Sequence, residues 1–244
     1  MRYEFNENKL IEIFIMVDDF CQHTEQWAEE HEIPHGCSDQ AQLYISEILT
    51  ILIFYHHSGF KCFEYYYKRM VLNNLSPYFT KAVSYKRFLS LIPRCFNHLY
   101  LLRQVQAKQA QRTGTYFVDS KKLPVCHNRR IHSNKVFKGI AKRGKSSMGW
   151  FYGFKIHLVI NELGQIVNFM ITTANVSDNN EQVLKQLFEN LQGHCFGDKG
   201  YLSKLFEEFY GKGLKLVTKV RSNMKNKLMD LTDRLWLLKR AVIE

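Results

Sequence analysis

Residues 112–130 read "RTGTYFVDSKKLPVCHNRR". The apolar run Tyr116-Phe117-Val118 ends on the acid Asp119, and cations follow at once: Lys121, Lys122, Arg129 and Arg130. A short aromatic and β-branched run bounded by turn formers is a strand signal. "TYFVDS" therefore reads as a buried strand with one carboxylate at its tip. Taken alone, that acid reads as a strand-end turn residue paired with Lys121 or Lys122. Its meaning depends on what the rest of the chain brings to it.

Downstream, the period stays near two and then alternates with helical stretches. "GWFYGFKIHLVIN" (149–161) and "IVNFMITTAN" (166–175) read as strands joined by a turn at Glu162–Gln165. Val183, Leu184, Leu187, Phe188 and Leu191 mark an amphipathic helix. "HCFGDKGY" is a short fourth strand ending on Asp198, and "SKLFEEFYGKG" a helix closed by Gly211 or Gly213. "LKLVTKV" gives a fifth strand. "LTDRLWLLKRAVIE" gives a last helix with Leu231, Leu235, Leu238 and Val242 on one face. The order β-β-β-α-β-α-β-α is that of an α/β or α+β domain with a mixed sheet and flanking helices.

Upstream of residue 112 the period is helical. Leu10, Ile13, Phe14, Val17, Phe20, Cys21 and Thr24 recur at three- and four-residue spacing. A second helix opens at "CSDQAQ", where Asp39 and Gln42 suit a capping box, and "FKCFEYYYKRMVL" is a third. Ser84 caps "SYKRFLSLI". Pro93 either kinks that helix or opens a new one, and Leu99 and Leu102 carry the apolar face on. The expected division is an all-helical N-terminal region, 1–111, and a mixed-sheet domain, 112–244.

The 244 residues carry 34 basic and 23 acidic side chains, a formal charge of +11. Such a surplus favours a polyanionic partner. "MRYEFNENKL" lacks the apolar stretch of a signal peptide, and no long uncharged apolar run occurs, so no membrane span is expected. Nucleic acid is then the favoured polyanion. Six scattered cysteines (Cys21, Cys37, Cys62, Cys95, Cys126, Cys195) without a C-x-x-C pair read as reduced thiols of a cytosolic protein.

The acids gain weight from this order. Asp119 and Asp198 end the first and fourth strands, which can lie side by side and parallel. Crevices at strand C-termini are where open α/β sheets place their sites. Two close carboxylates repel unless a cation sits between them. Mg²⁺ suits such hard ligands, and two such ions serve in-line attack on a phosphodiester. Between Lys121 and Lys155 there are ten Lys or Arg residues and no Asp or Glu. Within that segment "FKGIAKRGKSSMGW" interleaves aromatics, glycines and charge, as a mobile loop tracking a nucleic-acid strand would. Asp178 in "NVSDNNEQ" reads as a helix N-cap boxed with Glu181, outside the site. Cys126, His127 and His132 make only an incomplete zinc spacing and read as loop residues.

"FVDS", "GWFYGFKIHLVIN", "TTANVSDNN" and "GDKGY", in this order, resemble the catalytic domain of bacterial insertion-sequence transposases of the acidic-triad, ribonuclease-H-like class. The resemblance is closest to the insertion sequence 982 family, and it covers essentially the whole chain. It implies a triad of two aspartates and a glutamate, the last in an arginine–three residues–glutamate motif. Here that motif is Arg240-Ala-Val-Ile-Glu244. The implied catalytic and metal-binding residues are Asp119, Asp198 and Glu244, holding two Mg²⁺ ions that Mn²⁺ can replace. Lys121, Lys122, Arg129, Arg130, Lys142, Arg143, Lys145, Lys199 and Arg240 are expected to hold DNA. The implied reaction is cleavage at the element's ends and strand transfer by the freed 3′-hydroxyl. The implied partners are double-stranded DNA, as terminal inverted repeats and target, and a second copy assembled on it in the bacterial cytoplasm at the nucleoid. Family members run on past the triad glutamate, whereas Glu244 is the last residue here. The expectation is therefore a domain truncated at its C-terminus that binds DNA but cleaves it weakly or not at all. A repurposed DNA-binding protein and a nuclease without strand transfer are the alternatives.

Overall fold

Helical and mixed-sheet halves follow one another along the chain, in two units, Met1–Val105 and Gln106–Glu244. The computed structural model describes residues 6–32, 43–198, 201, 205–218 and 230–240.

The first unit opens with α1 (Glu7–Glu30), capped by Asn6, whose side chain accepts from the Lys9 N–H at 3.0 Å. Leu10, Ile13, Val17, Phe20 and Cys21 are buried as the spacing predicts, but Phe14 is 37% exposed, at the edge of that stripe. α2 (Ile45–Tyr55) starts where the Glu47 carboxylate accepts from the Tyr44 N–H at 2.8 Å. The expected cap at Asp39 and Gln42 lies outside the described residues. α3 (Phe63–Tyr66) continues as a π-helix, Tyr67–Asn74. A π-turn rotates successive residues by less than an α-turn, and the adjacent Tyr66 and Tyr67 both end up fully buried. Their hydroxyls donate to the Ile51 carbonyl at 3.1 Å and the Val83 carbonyl at 2.8 Å. Burial pushes the Tyr67 hydroxyl up to about 12. α4 (Tyr85–Leu91) is capped by Ser84, as expected. Pro93 sits in a 3₁₀ turn, Ile92–Cys95, ahead of α5 (Phe96–Gln109). On α5 Leu102 is buried, whereas Leu99 is 42% exposed.

The second unit holds β1 (Thr115–Cys126), β2 (Lys142–Ser146), β3 (Gly149–Asn161), β4 (Ile166–Thr173), β5 (Gly193–Gly197) and β6 (Leu214–Thr218). They form one sheet in the order β2-β3-β1-β5-β6, with β4 also paired to β3. β1 and β4 each run antiparallel to β3, and β1, β5 and β6 run parallel. With helices on both faces, this is the ribonuclease-H-like arrangement.

Two expectations need correction. β1 does not stop at Asp119 but continues to Cys126 along β3. Residues 142–146 are not loop: they form β2, in register with Gly149–Gly153.

Strand alternation divides the core. Tyr116, Val118, Cys195 and Leu216 pack with Leu184, Leu187 and Phe209, which belong to α6 (Glu181–Leu187) and α7 (Phe206–Gly211). Phe117, Phe196 and Val217 face the other way, onto Leu237 and Trp236 of α8 (Leu231–Lys239). Here the expected face of α8 is wrong. Leu231, Leu235 and Leu238 are 69%, 52% and 68% exposed, while Asp233 and Leu237 are buried. The helix offers two apolar stripes. The inward one carries Asp233, whose carboxylate accepts from Lys215 Nζ on β6 at 2.6 Å.

Candidate active site

The parallel ladder of β1 and β5 pairs Thr115 with His194, Tyr116 with Cys195 and Phe117 with Phe196, and ends there. The offset that pairs Phe117 with Phe196 also separates Asp119 from Asp198. Continuing that register brings Asp119, within β1, level with Asp198, just past the end of β5, two residues beyond the last pair. Both line one open pocket of about 520 Å³. Past Asp119, β3 is the only strand paired with β1 among the described residues, and the continuing strand lines the pocket with Ser120, Lys121 and Lys122.

α8 reaches the same place from the other side. Its first turn is tied to Lys215, which is level with His194 at the far end of β5. Just past its last residue, Arg240 Nη1 lies 3.4 Å from Asp198 Oδ1. The helix thus runs along the strands toward their C-terminal ends and delivers its own C-terminal end to the pocket. Asp233, the acid that β6 holds, stays at the opposite end. Arg240, expected on DNA, is the ion-pair partner of Asp198, with only 14% of its side chain exposed. Glu244 and Lys199 lie outside the described residues.

Asp178 is not a helix cap. Asn180 caps α6, its Oδ1 accepting from the N–H groups of Gln182 at 3.1 Å and Val183 at 3.2 Å. Asp178 turns instead into the pocket, where Lys155 Nζ lies 3.1 Å from its Oδ1 and also donates to the Val176 carbonyl at 2.9 Å. A signal for this pair was present. Lys155 falls within the apolar strand "GWFYGFKIHLVIN", and a cation held there needs a partner. Behind it, His157 is fully buried, and burial holds its pKa below the usual value. Tyr201, also buried, has its hydroxyl pKa driven up by burial, with the Asp178 charge adding to the effect.

Lys155→Met should cost about 2 kcal/mol of stability, because it strands a partly buried carboxylate. Urea denaturation would measure it, and adding Asp178→Asn should recover part of the loss. An unchanged midpoint in Lys155→Met would remove the pair from the account.

Of the other expected cations, Lys121, Lys122 and Lys145 line the pocket, whereas Arg129, Arg130, Lys142 and Arg143 are not among its lining residues. Lys121 is exposed, and Lys122 Nζ lies 3.4 Å from Met148 Sδ. Arg129 and Arg130 are exposed on a 3₁₀ turn, Asn128–Arg130. Lys142, Arg143 and Lys145 are exposed on β2. Among the described residues no group of three or more His, Cys, Asp or Glu is arranged to hold a metal ion, and Cys126, His127 and His132 form no such group. Two level carboxylates at an open pocket nevertheless fit the habit of Mg²⁺, which takes few protein oxygens and draws the rest from water and substrate.

The sheet order, with Asp119 within β1 and Asp198 just past β5 lining one pocket, defines a ribonuclease-H-like domain. A sequence model of the family described as "Transposase DDE domain" matches residues 109–244, more than half of the chain, and the chain belongs to that family. No curated protein and no solved structure matches it. Among the described residues no helix is long and apolar enough to cross a membrane.

Proposed function

We propose that this DDE transposase cleaves DNA at the ends of a bacterial insertion element and joins the freed 3′-hydroxyl to target DNA. The observation that carries the reading is the level placement of Asp119 and Asp198 in one pocket bordered by Lys121, Lys122 and Lys145. In this account Asp119 and Asp198 hold a divalent ion, Mg²⁺ or Mn²⁺. When bound, it would supply activation of the attacking oxygen and stabilisation of the leaving one. Glu244 completes the acidic set. It follows Arg240 at the spacing that stacks two side chains on a helix, and α8 already heads for the pocket. Arg240 fixes the Asp198 carboxylate and Lys155 holds Asp178, which leaves Asp119 and Asp198 as the two acids of the pocket placed to share a cation. Within the family, "FVDS", "TTANVSDNN", "GDKGY" and Arg240-x-x-x-Glu244 support membership of the insertion sequence 982 group. The helical region upstream of residue 112 contributes DNA binding, and two copies assemble on the paired element ends.

The test incubates labelled element ends with the protein and Mg²⁺. Joined product supports the transposase. Cleavage without joining would leave a nuclease, and binding without cleavage a DNA-binding protein.

Binding should be steeply salt-dependent, because each neutralised phosphate releases counterions. Changing Lys142, Arg143 and Lys145 together to Gln should flatten the slope of log affinity against log salt by up to about 3. An unchanged slope would take β2 off the DNA.

A further inference from the structure

The hairpin joining β2 to β3 carries an arrangement that the acidic pair does not use. Lys145 and Trp150 are cross-strand partners, and Arg143 lies two residues away on the same side of β2. The Arg143 guanidinium is 5.2 Å and the Lys145 ammonium 5.9 Å from the centre of the Trp150 ring. Even so, Trp150 is 52% exposed, and Met148 in the turn is 81% exposed.

The other side of the hairpin is closed. A Cβ on Gly144 would fall 1.9 Å from the Ala174 carbonyl oxygen, so only glycine lets β2 settle onto the end of β4. That contact fixes the hairpin and turns its aromatic and cationic side outward. Its tip meets the catalytic pocket, because Lys145, Ser146 and Met148 line that pocket with Asp119 and Asp198.

A large exposed indole beside two held cations has a chemical match. Cations bind phosphates of any DNA, but an aromatic face gains from a base only when that base is out of the duplex stack. Paired DNA offers base edges in its grooves, not base faces. The segment from Lys121 to Lys155 contains no Asp or Glu to oppose a phosphate strand.

We propose that Trp150 is a stacking platform for an unpaired nucleotide at the processed DNA end, with Arg143 and Lys145 holding the phosphates on either side of it. This rests on the reading of the pocket as a DNA-cleaving site. It adds that the substrate is frayed or single-stranded beside the cleavage point.

The test uses the full chain and two probes: a blunt duplex, and the same duplex with a short single-stranded 3′ extension carrying 2-aminopurine at its first unpaired position. Wild type should quench the 2-aminopurine. Trp150→Ala should abolish the quench and weaken binding of the extended probe about tenfold, the scale of one lost base–aromatic stack. Its affinity for the blunt duplex should not change. Trp150→Phe should retain most of the quench, and Arg143→Gln with Lys145→Gln should weaken both probes alike. A quench that persists in Trp150→Ala, or equal weakening on both probes, would overturn the platform and leave the transposase reading standing. Failure of the wild-type chain to bind either probe would overturn both.

Discussion

Asp198→Asn should slow cleavage of a labelled DNA end about a thousandfold or more. That is the rate loss when about 4 kcal/mol of transition-state stabilisation is removed. The substitution keeps shape and hydrogen-bonding capacity but removes the charge that a divalent ion needs. Because 55% of the Asp198 side chain is exposed, the fold should survive, although loss of the ion pair to Arg240 should cost on the order of 1 kcal/mol. Asp119→Asn should behave in the same way, since the two acids stand level in one pocket. The neighbouring acids make the contrast. Asp178 lies between β4 and α6, held by Lys155 on β3 and outside the β1–β5 register, so Asp178→Asn should reduce the rate far less. Asp233 is held by Lys215 at the other end of the sheet, so Asp233→Asn should lower stability without a specific loss of cleavage. Cleavage by Asp198→Asn within a few-fold of wild type would place the chemistry elsewhere.

Gly153→Ala should destabilise the second unit by about 3 kcal/mol or more, beyond the usual cost of an added methyl in a packed interior. Gly153 lies opposite Pro124, where the β1–β3 register shifts. A Cβ there would sit 2.1 Å from the Leu123 carbonyl oxygen and 3.1 Å from Pro124 Cα. Both are backbone atoms, so no side chain can swing aside, and β1 must lift from β3. That pairing positions Asp119 along one strand and Lys155 on the other. The variant should therefore show a lower urea midpoint together with weakened cleavage. A wild-type midpoint would mean that the two strands approach less closely than described.

What the sequence reveals of this fold follows from which residues carry a period. The strand around Phe117, the strands "GWFYGFKIHLVIN" and "IVNFMITTAN", and the strand that leads to Asp198 are apolar enough to declare themselves. Their order already makes a parallel contact between the first and fourth strands possible, and with it the Asp119–Asp198 juxtaposition. The continuation of β1 was hidden because "KKLPVC" is polar and contains Pro124, which argues against a central strand. Past Asp119, however, β3 is the only strand paired with β1 among the described residues, and a strand paired on one side accepts proline. β2, Lys-Arg-Gly-Lys-Ser, has no apolar alternation at all; the close seat of Gly144 on Ala174 holds it. The face of α8 is hard to read because Leu231, Leu235 and Leu238 make an exposed apolar stripe beside the inward one, and the Lys215–Asp233 ion pair that orients the helix joins distant parts of the chain. Asp178 and Asn180 are both residue types that cap helices, and it is the pairing of Asp178 with Lys155 that separates their roles.

The most direct test of the account is calorimetric titration of Mn²⁺ into the metal-free chain and its variants, without DNA. The level pair of Asp119 and Asp198 should give wild type a site that Asp119→Asn and Asp198→Asn each weaken by at least about tenfold, or ~1.4 kcal/mol. Asp178→Asn should leave that site in place. Mn²⁺ binding that persists undiminished in both Asp119→Asn and Asp198→Asn would contradict it.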